Sequence, residues 1–129
     1  MLRFSNKEYG MQIVAFVTQK GGSGKSTLAS SMAMAAHEAG ERVFIIDMDP
    51  QASLVKWFQV RNNKDIAVEA VTPGKLAPAL KALEKSGVSL VIIDTPGTES
   101  AAAEAAMKVA TLCIILSLIH ISEPTRPER

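Results

Sequence analysis

Residues 13–27, IVAFVTQKGGSGKST, set a continuous apolar run against a turn with three glycines in the four positions 21–24. Ile13–Val17 has no polar residue to offer a solvent face. A strand of a parallel sheet reads this way when helices cover both its sides. Gly21, Gly22 and Gly24 let the backbone curl until its N–H groups converge on one point. Lys25–Ala39 follows as a helix rich in Ala, Met and Leu, and Gly40 is placed to take positive φ just past its end. The start of that helix adds its partial positive charge to the converging amides, which makes the turn a phosphate site. Lys25 supplies a mobile charge for β- and γ-phosphates, the Ser26 hydroxyl is the expected Mg2+ ligand, and Thr27 can reach an α-phosphate.

Outward from this turn, strand and helix alternate. Val43–Ile46 is a second apolar run, and Leu54–Val60 reads as a short helix with Leu54, Trp57 and Phe58 toward the core. Ile66–Val71 is a weaker strand. Lys75–Lys85 carries Leu76, Leu80 and Leu83 at helical spacing and closes at Gly87, with Pro78 requiring a late start. Leu90–Ile93 is a third strong strand, Glu99–Ala110 an alanine-rich helix and Leu112–Leu116 a further strand. Repeated strand–helix units predict an α/β fold, a doubly wound and mostly parallel sheet with helices on both faces.

Two of the apolar runs end in acids. Asp47 and Asp49 follow the second, in D-M-D-P-Q, and Asp94 closes the third, in D-T-P-G. Ligands of open parallel sheets bind outside the C-terminal strand ends, so these carboxylates are expected to face the phosphate turn. A carboxylate there can order Mg2+ or orient an attacking water.

The glycine-rich turn departs from the ordinary G-x-x-x-x-G-K-[ST] pattern, with Gln19 where the first glycine belongs and a second lysine, Lys20, directly before the glycines. K-G-G-x-G-K-[ST] resembles the deviant Walker A motif of the ParA/MinD family of P-loop ATPases. D-x-D-P-Q and D-T-P-G resemble that family's two switch regions. The resemblance implies a P-loop NTPase-like fold and ATP with Mg2+ held by Lys20, Gly21, Gly22, Ser23, Gly24, Lys25, Ser26 and Thr27. It implies catalytic roles for Lys20, Lys25 and Asp49: Lys20 reaches the ATP of a partner subunit and Asp49 orients the hydrolytic water. Ser26, Asp47 and Asp94 order the metal. D-P-Q is similar to plasmid and chromosome partition proteins. That branch implies an ATP-dependent homodimer, a ParB-like activator, non-specific DNA and a cytoplasmic, nucleoid-associated protein. MinD-like division ATPases and bacterial tyrosine kinases share the loop and stand as alternatives, as does an inactive fragment.

Composition fits a globular enzyme. Hydrophobic residues are 47%, charged residues 21% and the net charge is +1, so no bulk field draws the chain to DNA or an anionic membrane. Cys113 is the one cysteine and sits in an apolar run, which excludes an intrachain disulfide and favours a buried thiol. His37 and His120 lack metal-ligand spacing. Leu112–Ile121 is too short to span a membrane. Residues 11–121 read as the N-terminal half of the ATPase domain, and residues 1–10 as a polar extension. Residues 122–129 are expected to be disordered: a genuine terminus, or translated adapter sequence, which SLIHISEPTRP resembles. Family members continue past the last strand, so Leu112–Leu116 is expected to be an unpaired edge here.

Lys25→Ala in the folded chain should weaken binding of a fluorescent ATP analogue by at least about tenfold, or ~1.4 kcal/mol. Unchanged affinity in the titration would remove Lys25 from the phosphate site.

Overall fold

The computed structural model describes residues 2–4, 10–18, 25–50, 53–60, 65–97 and 99–116. Six strands and four helices follow in the order β1 (Leu2–Phe4), β2 (Gln12–Thr18), α1 (Lys25–Glu38), β3 (Val43–Asp47), α2 (Ser53–Val60), β4 (Ala67–Ala70), α3 (Leu76–Lys85), β5 (Leu90–Gly97), α4 (Ala101–Val109) and β6 (Leu112–Leu116). They form one sheet ordered β1-β6-β2-β5-β3-β4. β6, β2, β5, β3 and β4 are parallel; β1 runs antiparallel along β6.

The apolar runs have no solvent face because each strand divides its side chains between two cores. Ile13, Ala15 and Val17 of β2 and Val91 and Ile93 of β5 pack with Leu76 and Leu80 of α3 and Ala102, Ala103 and Ala106 of α4. Val14 and Phe16, with Leu90 and Ile92, pack with Ala29 and Ala33 of α1 and Leu54 and Phe58 of α2. Period-two alternation therefore persists, but both faces are apolar. Trp57 is only half-buried and meets Phe58 edge to face at 4.7 Å.

Two helix ends stop as expected. Gly40 and Gly87 have φ of 98° and 92°. Beyond α1, Glu41 N–H donates to Ala36 C=O and Gly40 N–H to His37 C=O. Beyond α3, Val88 N–H donates to Leu83 C=O and Gly87 N–H to Glu84 C=O. These paired bonds satisfy carbonyls that the helix leaves open, and they need the left-handed residue that glycine supplies without strain. Pro78 is accommodated in the first turn of α3, where its missing N–H has no intrahelical partner to lose. A 3-10 turn, Pro73–Lys75, leads into that helix.

Three differences from the sequence expectations have physical causes. β5 runs on through Asp94, Thr95 and Pro96 to Gly97. Between Phe16↔Asp94 and Thr18↔Gly97 it carries one more residue than β2, a bulge, and a bulge is where proline fits inside a sheet. The last helix starts at Ala101 rather than Glu99 because Ser100 caps it, its Oγ accepting from Ala103 N–H at 3.0 Å. Finally, β6 is not an unpaired edge. Leu2–Phe4, read as part of a polar extension, pairs with it in the register Leu2↔Ile114 to Phe4↔Leu112. An open strand edge is a row of unmet donors and acceptors, and even a three-residue strand satisfies part of it. The 122–129 tail lies outside the described residues, as does His120.

A chain lacking residues 1–9 should therefore bind more ANS and self-associate at micromolar concentration. An ANS-negative, monodisperse truncation would show that the β1–β6 pairing protects nothing.

Candidate functional site

β2, β5 and β3 lie side by side at the centre of the sheet; β3 ends at Asp47, level with Asp94, and β2 and β5 run on to Thr18 and Gly97. Phe16 is registered with Asp94, and Asp94 with Asp47. Beyond β2 the chain continues through the glycine-rich residues 19–24 to α1. Asp94 follows Leu90 and Ile92 by strand alternation, and Asp47 follows Val43 and Ile45. Both thus belong to the sheet face that α1 and α2 cover. Asp47 and Asp94 are 1% and 0% exposed. Two carboxylates are thus buried side by side on neighbouring strands, and a buried charge is costly unless it is paired or hydrogen-bonded.

Each acid is held by local structure. The Asp47 Oδ2 accepts from Leu54 N–H at 3.0 Å and Val55 N–H at 3.2 Å, and its Oδ1 from Asp49 N–H at 3.1 Å. Met48 N–H donates to the Asp94 carbonyl at 2.8 Å, tying the two strand ends together. Asp49 is half-buried just beyond β3. With Asp47 and Pro50 it borders a groove of about 320 Å³ that continues to Val71 and Pro73 beyond β4.

Thr95 was not singled out by its sequence pattern, yet it is fully buried. Its Oγ1 lies 2.9 Å from the Phe16 carbonyl and 3.1 Å from that of Pro96. The hydroxyl so answers a carbonyl at the β2–β5 bulge, two residues before β2 ends. The Pro that follows it, a residue that sheets admit at bulges, was the available signal.

Of the expected site residues, the structure brings Asp47, Asp49 and Asp94 to one end of the sheet. Thr27 is exposed in the first turn of α1, and its carbonyl accepts from the Ser30 hydroxyl at 2.9 Å. Lys25 and Ser26 open α1 by their backbone; their side chains, and all of Lys20, Gly21, Gly22, Ser23 and Gly24, lie outside the described residues. Among the described residues no three His, Cys, Asp or Glu side chains cluster to cage a metal. The Asp94 carboxylate is a hard oxygen donor of the kind that suits Mg2+, which takes one or two protein ligands and completes its shell with phosphate and water. Among the described residues no helix is long and apolar enough to cross a membrane.

Residues 14–120 match the model of the CobQ/CobB/MinD/ParA nucleotide-binding domain. Maintenance of carboxysome distribution protein A of Gloeobacter kilaueensis is 39% identical over 109 residues, 81% of this chain and 48% of its own. A probable plasmid-partitioning protein ParA of Thermus thermophilus is 33% identical over 82 residues, 62% of this chain and 25% of its own. The chain thus spans about half the length of the first relative and a quarter of the second. A plasmid partition protein of Borrelia burgdorferi has a similar fold, with a TM-score of 0.63 at 18% identity over 78% of this chain and 62% of that one.

Thr95→Val removes the hydroxyl at nearly constant shape and takes a hydrogen-bond donor from the buried Phe16 carbonyl. It should lower unfolding free energy by about 1–3 kcal/mol in urea titrations. An unchanged midpoint would show that the carbonyl is satisfied without Thr95.

Proposed function

Because the chain belongs to the CobQ/CobB/MinD/ParA nucleotide-binding family, we propose that it binds ATP with Mg2+ and hydrolyses it as a dimerising switch of the partition type. The observation that carries this reading is the register Phe16–Asp94–Asp47. It sets two buried carboxylates beside the strand that delivers the K-G-G-S-G-K-S-T turn.

In this reading the amides of residues 21–27 and the Lys25 ammonium hold the phosphates. Ser26 and Asp94 would hold Mg2+, which when bound neutralises charge on the β- and γ-phosphate oxygens. Asp49, half-buried beyond β3, orients the water that attacks the γ-phosphate. Lys20 reaches across a dimer to the partner's ATP, so hydrolysis depends on assembly. T-P-G after Asp94 senses loss of the γ-phosphate, since Thr95 bonds the strand that leads to the phosphate turn.

The relatives named for carboxysome distribution and plasmid partitioning support a protein that positions a cellular cargo. A ParB-like activator and non-specific DNA are the proposed partners of the full-length protein, in the cytoplasm on the nucleoid.

Orienting a water acts mainly in the transition state, so Asp49→Ala should lower kcat by about 100-fold or more. The KM for ATP should stay within about threefold. Steady-state turnover of the protein and its variant checks this, and an equal kcat would move the role to another residue.

A further inference from the structure

Leu54 and Val55 are the second and third residues of α2, whose N–H groups have no acceptor within the helix. Those are the amides that a capping side chain normally takes. The residue before the helix is Ala52, whose methyl group cannot accept a hydrogen bond. The acceptor comes instead from the end of β3: Asp47 Oδ2 takes both N–H groups, at 3.0 and 3.2 Å. Its other oxygen takes the N–H of Asp49 at 3.1 Å. One buried carboxylate therefore joins a strand end, the residue proposed to orient water, and the start of a helix.

The base of this clamp is itself fixed from both sides. On one, Met48 N–H donates to the Asp94 carbonyl at 2.8 Å; on the other, Val71 N–H donates to the Asp47 carbonyl at 3.1 Å. The charge of Asp47 is answered within the loop, by three amides and the positive end of α2. Turning that carboxylate onto a cation would release the N–H groups of buried Leu54 and half-buried Val55, and unmet donors out of water are costly.

We propose that Asp47 is a positioning residue rather than a metal ligand: its carboxylate clamps the loop between β3 and α2 and so sets where Asp49 stands. This rests on the hydrolytic role proposed for Asp49, and it moves Asp47 out of the metal shell that the D-x-D motif suggests. Asp94 and Ser26 keep that shell.

Two measurements on the 129-residue chain and its Asp47→Asn and Asp47→Glu variants test the proposal. The first is amide hydrogen exchange without nucleotide. In the unsubstituted chain, Leu54 and Val55 should exchange at least about tenfold slower than unstructured amides, and in Asp47→Asn at least about tenfold faster than in the parent. Ile45 and Ile92, in the sheet, serve as the control and should stay unchanged. Leu54 and Val55 amides exchanging at the unstructured rate in the parent would overturn the clamp, even if no variant folds.

The second is ATP turnover against Mg2+ concentration. Both variants should lose at least about tenfold in kcat, with the half-saturating Mg2+ and the KM for ATP within about threefold of the parent. Asp47→Glu keeps the charge that a metal would need but displaces the oxygens from the amides. A rise of about tenfold or more in half-saturating Mg2+ for Asp47→Asn, with Leu54 and Val55 exchange unchanged, would make Asp47 a metal ligand and overturn the proposal. Should the parent chain turn over no ATP, the hydrolytic reading of this chain fails, while the exchange measurement still decides the clamp.

Discussion

The parallel pairing of β2, β5 and β3 in one register is the constraint on which the rest of this structure depends. It brings the three strands into step near one end of the sheet, so that Phe16, Asp94 and Asp47 stand in a row. The row holds because each strand buries both faces, and a slip of one residue would turn both acids toward the opposite core. Helices α1 and α2 cover the face that carries the acids, while α3 and α4 cover the other. The segment that follows β2 and the loop carrying Asp49 therefore leave the same end of the sheet, on either side of β5. Chemistry at one border of the sheet is a consequence of how its interior packs.

Burying charge at that border requires the backbone to answer it. Asp47 meets three N–H groups and a helix start, and about 1 kcal/mol is what a helix cap of this kind ordinarily contributes. Thr95 performs the complementary task, giving a hydroxyl to a carbonyl at the bulge beside Pro96. The opposite end of β2 is secured in a similar way. Thr111 N–H donates to the Ile13 carbonyl at 2.7 Å, and its Oγ1 accepts from Ile13 N–H at 2.8 Å. The strand that precedes the glycine-rich segment is thus held by threonine hydroxyls from two neighbouring segments. Rigid support of this sort is what a site needs if its loops are to act without first being ordered.

The two outer strands of the sheet carry different loads. β1 covers the edge of β6 with three residues, and β4 closes the other side with four, mostly exposed. Short strands at sheet borders expose few unmet donors and acceptors, which limits edge-to-edge pairing between molecules. The central strands could be strongly apolar because these modest segments, and not they, stand at the edges.

Much of the architecture could be read from residue order. Apolar runs such as Ile13–Val17 and Leu90–Ile93, the positive-φ glycines at 40 and 87, and the three acids after strand ends are signals contained within a few residues. Their physics is local: φ preference, helix period and the exclusion of charge from a strand with two buried faces. Which strand lies beside which was not legible, because β2 pairs with β5 and β6, neither of which adjoins it in sequence. Such pairings follow from closing two cores at once. The same holds for Leu2–Phe4, whose strand exists only where β6 offers an edge, and for β5, which runs through a proline that local rules would have ended. The sequence by itself determined the elements and the kinds of chemistry they carry. Only the tertiary structure decided that Asp47 faces the start of α2, because a carboxylate's partners are set by what folds against it and not by the motif in which it is written.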